Sequence, residues 1–202
     1  MPRSGENVRR RLQQAALELF GQCGYELTTA AEIAAKAGVT ERTFFRHFAD
    51  KREALFDGET ALSDILGSAV REAPAELGPW DALFLAFRAA ERLFVDNRSF
   101  AEPRRRVIDS SPALQERALA KTRSLVAGLA SALRGRGVAE HEATLAAQMG
   151  MAALGHAVAS WFDDGSSDLD DHLVQAFRKV RDLSASSPAI GQDAKTPPKS
   201  QA

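Results

Sequence analysis

The sequence predicts an all-α chain of about nine helices, three in an N-terminal head and about six in a longer body. Three observations carry that prediction. Apolar residues recur three and four apart through most of the 202 residues, the spacing that puts them on one face of a helix. Alanine and the aliphatics make up much of the 45% hydrophobic content, tyrosine is single and runs of β-branched residues are absent, which disfavours strands. Capping residues and glycine stops punctuate the apolar stripes at helix-length intervals.

Residues 1–6 read as a disordered start, with Arg3 and then Arg9, Arg10 and Arg11 forming a basic arm. Such an arm either lies against phosphates and the minor groove or is a solvated tail. The first helix follows from Asn7 to Gln22, with Val8, Leu12, Ala15, Ala16, Leu19 and Phe20 on its core face, and Gly21 and Gly24 ending it. Cys23 lies at that end and reads as a small core residue, because a thiol without a nearby base is inert. Thr29 with Glu32 three residues on is a capping box. The second helix it opens buries Ile33 and Ala34 and stops at Ala37-Gly38. Thr40 caps the third helix, Glu41 to His47, and Phe44 and Phe48 share one face of it. Leu27, Ile33, Val39, Phe44 and Phe48 form the expected head core. Asp50, with Glu53, caps a long fourth helix from about Lys51 to Arg71, in which Gly58 and Gly67 ease bending.

Two capped helices meeting at a glycine turn form a helix-turn-helix, whose second helix enters the DNA major groove. The DNA-facing set is Thr29, Thr40, Arg42, Thr43, Phe44, Arg46, His47 and Lys51. Thr40, Arg42, Thr43 and Arg46 supply donors for base edges or phosphates, while His47 and Lys51 stand where a backbone would pass. Phe44 either abuts bases or serves the core. The bland alternative is a helical hairpin with a solvated polar face.

Beyond the Pro74 to Pro79 loop, a fifth helix from Trp80 to Asp96 carries Trp80, Leu83, Phe84, Phe87, Ala90 and Phe94 on one stripe. Pro103 opens a short sixth segment with Arg104, Arg105 and Arg106. Ser111-Pro112 starts a seventh helix that runs to about Leu133. The eighth, Ala139 to Phe162, is rich in small residues, and Ser167 or Asp168 caps a ninth from Leu169 to about Leu183. The Ser, Pro, Lys and Gln content from Ser184 onwards cannot support a core. The domain reading is therefore a DNA-binding head at 1–50, a helical body at 51–183 and a disordered tail at 184–202.

Composition excludes several classes. One cysteine rules out an internal disulfide framework and suits a reducing cytosol. The basic start lacks the apolar stretch of a signal peptide, and the longest apolar run, around Gly150 to Phe162, is too short to span a bilayer. A cytoplasmic protein with no membrane partner is expected. No phosphate loop, paired metal spacing or nucleophile motif appears, so the reading has no catalytic residue, metal or cofactor. Residues 1–56 hold nine Lys/Arg against seven Asp/Glu and the remainder seventeen against twenty, within a net charge of −1. The mild excess in the head agrees with an anionic partner there.

The residues Ile33-Ala34, Ala37-Gly38-Val39-Thr40, Thr43-Phe44-Phe45-Arg46-His47-Phe48 and Lys51 to Leu55 resemble the DNA-binding domain of the TetR family of transcriptional regulators. The likeness covers the head, roughly a quarter of the chain. Two positions depart from the commonest pattern: Arg42 replaces a frequent small residue, adding a cation, and Phe45 replaces a frequent tyrosine, removing a hydroxyl that would reach phosphate. The resemblance gives the body at 51–183 a regulatory and dimerising role. It implies a homodimer on a pseudo-palindromic operator, joined through its last two long helices at about 139–183. It also implies repression rather than activation, and a small-molecule effector held among the fifth to eighth helices. Candidates for an effector pocket are Phe84, Phe87, Phe94 and Met149 with Arg88, Gln148 and His156 as polar groups, the alternative for each being plain helix-packing core. A helical interaction adaptor or an enzyme without a recognisable motif is the alternative class.

Overall fold

The computed structural model describes residues 3–165 and 168–185, and every regular element among them is helical. Two compact units divide the chain at residues 1–152 and 153–202. In the first, α1 is Arg3–Cys23, α2 Ala30–Lys36 and α3 Glu41–His47. A 3-10 turn at Arg52–Leu55 precedes α4 (Glu59–Glu72), α5 (Pro79–Ala89), α6 (Glu91–Asp96), α7 (Arg98–Asp109) and α8 (Pro112–Gly135). α9 (Glu140–Asp163) crosses the division, and α10 (Leu169–Ala185) lies in the second unit.

The local rules place the head helices well. Thr29 Oγ1 accepts from the Glu32 N–H while Glu32 accepts from the Thr29 N–H, completing the capping box. Gly38 takes φ +69, the left-handed conformation that lets the chain leave α2 and return at Val39. Thr40 Oγ1 caps α3 by accepting from the Thr43 N–H at 3.2 Å. Leu12, Ala16, Phe20, Ile33, Phe44 and Phe48 close the core between these helices.

Several expectations need correction. α1 begins at Arg3, so the basic arm is helical from there. Leu27 is 79% exposed and Cys23 is exposed, so neither belongs to the head core. The long fourth helix is interrupted. Asp50 caps only the 3-10 turn, and Gly58, at φ +86, turns the chain before α4 starts. Ala54, Leu55 and Phe56 are all buried, and three consecutive positions do not share one face of a straight helix. The fifth helix breaks at Ala90, which is fully buried with φ −88 and ψ −4, so that α5 buries Leu83, Ala86 and Phe87 while α6 buries no residue. Pro103 lies inside α7 rather than opening it, and costs that helix the bond to the Ser99 carbonyl. Ser111 precedes Pro112 as expected, but its buried hydroxyl caps nothing. Ser184 and Ala185, expected to open the tail, still belong to α10, while Ser167 and the rest of the expected tail, residues 186–202, lie outside the described residues.

The head core does not stop at residue 50. Ala54, Leu55 and Phe56 join it, as do Val107 of α7 and Leu114 of α8. In the second unit the end of α9 buries Ala153, Leu154, Ala157 and Trp161, and α10 buries Leu169, Leu173, Ala176 and Phe177.

Candidate nucleic-acid interface

α3 presents one polar face outward because its other face is consumed by Phe44 and Phe48. Arg42, Phe45 and Arg46 are exposed, Thr40 is exposed at the N-terminus, and Thr43 is half-buried. The hydroxyls of Thr40 and Thr43 lie 3.0 Å apart, which fixes the Thr43 rotamer at the opening of the helix. Neither Arg42 nor Arg46 has a hydrogen bond or ion pair with another described residue, so both guanidinium groups keep their five donors for a ligand. Thr29 is exposed at the start of α2, with its hydroxyl directed to Glu32 at 2.8 Å. Arg11 of α1 lies over the turn: a Cβ on Gly38 would sit 3.9 Å from its guanidinium.

Two members of the expected set have other work. Phe44 is fully buried, edge-on to Phe45 at 5.4 Å and beside Phe48 at 5.5 Å, so its ring cannot abut a base. Lys51 Nζ donates to the carbonyls of Tyr25 at 2.7 Å, Thr28 at 2.9 Å and Glu26 at 3.4 Å, and stands 4.2 Å from the Tyr25 ring centroid. An ammonium group has three N–H donors, and these carbonyls occupy them. Lys51 therefore ties the α1–α2 turn to the chain after α3 instead of meeting phosphate.

His47 is half-buried at the end of α3, and its Nε2 finds no partner among the described residues. It lines a recess of about 300 Å³ together with Arg9, Phe48, Asp57, Thr60 and Arg117. Burial, then the positive fields of Arg46 and Arg9, holds the imidazole below its ordinary range.

Sequence reasoning missed the joint beneath this face. Arg9 forks onto Asp57, with Nη2 at 2.6 Å from Oδ1, and its guanidinium lies 4.9 Å from the Phe48 ring. Burial pushes the Asp57 carboxyl up, but the Arg9 hydrogen bond and charge outweigh it and hold the group below the usual range. Arg117 of α8 makes a two-pronged bond to Glu53 of the 3-10 turn, at 2.7 and 3.0 Å. Arg136 closes the far end of α4 by donating to the carbonyls of Val70, Ala73, Pro74 and Leu77. No spacing rule links positions more than forty residues apart, so these partners left no mark in the pattern.

The structure places the expected effector-pocket residues in different settings. Phe87 has no exposed surface and packs on α9, where a Cβ on Gly150 would lie 3.3 Å from its ring. Phe84, Phe94 and Met149 are half-buried, but Arg88 and Gln148 are exposed. Arg88 instead stands 5.7 Å from the Phe84 ring. His156 belongs to the other unit, where it lines a polar cleft with Asp164, His172 and Lys179. Among the described residues no group of three His, Cys, Asp or Glu could hold a metal ion.

Comparison with known proteins adds to this geometry. A family model described as bacterial regulatory proteins of the tetR family matches residues 12–57, and one described as the MftR C-terminal domain matches residues 77–184. The HTH-type transcriptional regulator TcmR of Streptomyces glaucescens is 43% identical over 82 residues, 41% of this chain and 36% of that protein. The chain thus spans about a third of the length of this curated relative. Among solved structures, a TetR-family regulator from Syntrophomonas wolfei superposes with a TM-score of 0.64 at 17% identity, over 92% of this chain and 99% of that one. Thermus thermophilus FadR, a TetR-family repressor solved with lauroyl-CoA, superposes with a TM-score of 0.55 at 24% identity, over 92% and 100%. At these identities the structures speak for the fold.

Proposed function

The chain belongs to the TetR family of bacterial transcriptional regulators, which are not enzymes, and from that we propose that it is an effector-responsive repressor binding a pseudo-palindromic operator as a homodimer. The observation that carries the reading is the outward face of α3, where Arg42 and Arg46 stand without protein partners beside Thr40 and Thr43. Arg42, Thr40 and Thr43 read base edges, Phe45, 52% exposed, offers an apolar edge to a thymine methyl, and Arg46, His47 and Thr29 hold phosphates. The head, whose core runs on through Ala54, Leu55 and Phe56, forms the DNA-binding part, and the helical body beyond it, to residue 183, the part that senses and dimerises.

Dimerisation through the last two long helices is supported by what α9 leaves outward in the second unit. A Cβ on Gly155 would meet nothing within 4 Å, and His156 beside it is exposed. A two-fold pair places its recognition helices one helical turn apart, about 34–36 Å along the groove. Repression then needs no contact beyond an obstructing dimer. An effector works by binding the DNA-competent and DNA-incompetent states with different affinities. Among the described residues no helix is long and apolar enough to cross a membrane.

The test is a selection of genomic fragments by the purified protein at moderate salt, read by sequencing. Enrichment of one inverted repeat is the expected result. Fragments without a shared sequence, released by added salt, would mean phosphate attraction alone and would sink the operator reading.

A further inference from the structure

α7 carries an apolar stripe that packs on the head core, with Val107 buried and Phe100 and Ile108 partly buried. Arg104 stands four residues from each of Phe100 and Ile108, and therefore on the same face. Its guanidinium lies 5.1 Å from the centroid of the Phe56 ring. Its Nε is buried without a hydrogen-bond partner, and no described residue gives the group a hydrogen bond or an ion pair.

Among the described residues, acids on the adjoining segments are committed elsewhere. Glu53 is bound by Arg117, Asp57 by Arg9, and Glu102 by Arg106 at 2.9 Å. The surroundings are otherwise cationic, because Arg117 also stands over the Phe56 ring at 5.4 Å and Lys121 Nζ reaches the Phe56 carbonyl at 3.4 Å. Desolvation alone pushes the Arg104 guanidinium down to about 10. A cation placed on an apolar stripe without a counter-charge works against folding unless something compensates it.

We infer that Arg104 anchors the charged end of an amphiphilic organic anion, a carboxylate or phosphate on an apolar body, and that this anion is the effector. The inference rests on the effector-responsive reading given above. The charged end pairs with Arg104, which presents two N–H donors in the fork that fits a carboxylate or phosphate. The apolar body lies along Phe100 and Ile108. The consequence for DNA follows from position. Phe56 ends the 3-10 turn, and Asp57 and the left-handed Gly58 come directly after it, at the entry to α4. An anion that draws Arg104 off the Phe56 ring loosens the point where the head meets α4.

The experiment follows the thermal midpoint of the full chain, wild type and Arg104→Met, with octanoate, octyl phosphate and the neutral octanol. The same additives are tested on the complex with the selected DNA fragment. Arg104→Met is expected to melt above wild type without additive, since it removes an uncompensated charge. At a hundredfold excess over the dissociation constant, an anion should raise the wild-type midpoint by about 5–10 °C. The variant and octanol should show no such shift. Whichever anion acts at the lower concentration identifies the head group. Equal stabilisation of both proteins, no anion response in wild type, or an Arg104→Met that melts lower and remains indifferent would overturn the assignment. Anion binding that needs Arg104 but leaves DNA bound would keep the site and remove the effector reading. Release of DNA by octanol and not by the anions would do the reverse.

Discussion

Arg42 and Lys51 are both cations near the recognition helix, and their surroundings give them opposite roles. Arg42 engages no other described residue, so Arg42→Ala should leave the midpoint of unfolding unchanged. It should cost about 1–3 kcal/mol of operator affinity and relax the preference at one base position, checked on a panel of single-base variants. Lys51 binds three carbonyls of the α1–α2 turn. Lys51→Met should therefore lower stability by about 1–3 kcal/mol in urea unfolding, since the part-buried carbonyls of Tyr25 and Thr28 lose a charged donor. An unchanged unfolding midpoint with uniformly weaker DNA binding would return Lys51 to the phosphate contacts. His47 contributes a pH effect of defined sign. Its folded value lies below the ordinary 6.5, so the unfolded chain takes up the proton first. The stability it confers is complete above about 6.5 and is lost as pH falls through the lower folded value. His47→Gln should flatten the fall in unfolding free energy between pH 7.5 and 5, and an unaltered slope would mean other groups carry it.

The 3-10 turn and α8 are joined by Glu53 and Arg117, whose side chains are 28% and 23% exposed. Partial burial and two-pronged geometry lift this pair above an ordinary surface ion pair. A double-mutant cycle with Glu53→Gln and Arg117→Met should give a coupling of about 1–2 kcal/mol in unfolding. Coupling near zero would show that the pair holds nothing. Gly58 acts in the same short segment through backbone conformation. At φ +86, with nothing within 4 Å of an added Cβ, Gly58→Ala meets only conformational strain and no clash. These two features explain why the expected single helix from Lys51 to Arg71 is a turn, a bend and a shorter helix. The apolar spacing across 51–71 is continuous, and Asp50 does accept from the Glu53 N–H, but the Glu53 carboxylate turns to Arg117 instead of completing a capping box. The interruption arises because Phe56 and Leu55 are claimed by the head core, an instruction written at Val107 and Leu114 rather than nearby.

For the whole molecule, operator binding should be steeply salt-dependent even though the net charge is −1, because the cations that matter are the unpaired ones. Each phosphate contact releases about 0.9 of a counterion on duplex DNA. A homodimer with Arg46→Ala loses one contact per protomer, so the slope of log affinity against log salt should flatten by about 1.8. A slope unchanged by Arg46→Ala would place that guanidinium away from the backbone.

The sequence by itself determined the fold class, the head helices, both threonine caps, the glycine turn and the polar face of α3. All of these depend on contacts within a few residues, where helical period and capping geometry act directly. It also carried the family, because the same local residues carry the resemblance. Tertiary structure alone decided that Phe44 is core, that Lys51 is a tie, and that Arg9, Glu53, Arg117 and Arg136 hold helices together. For the same reason the apolar stripe through Phe84, Phe87 and Phe94 did not say which of its residues are close-packed. Periodicity says which face of a helix is apolar, but whether facing stripes interlock or leave a space depends on how separate helices meet. At Phe87 and Gly150 they interlock.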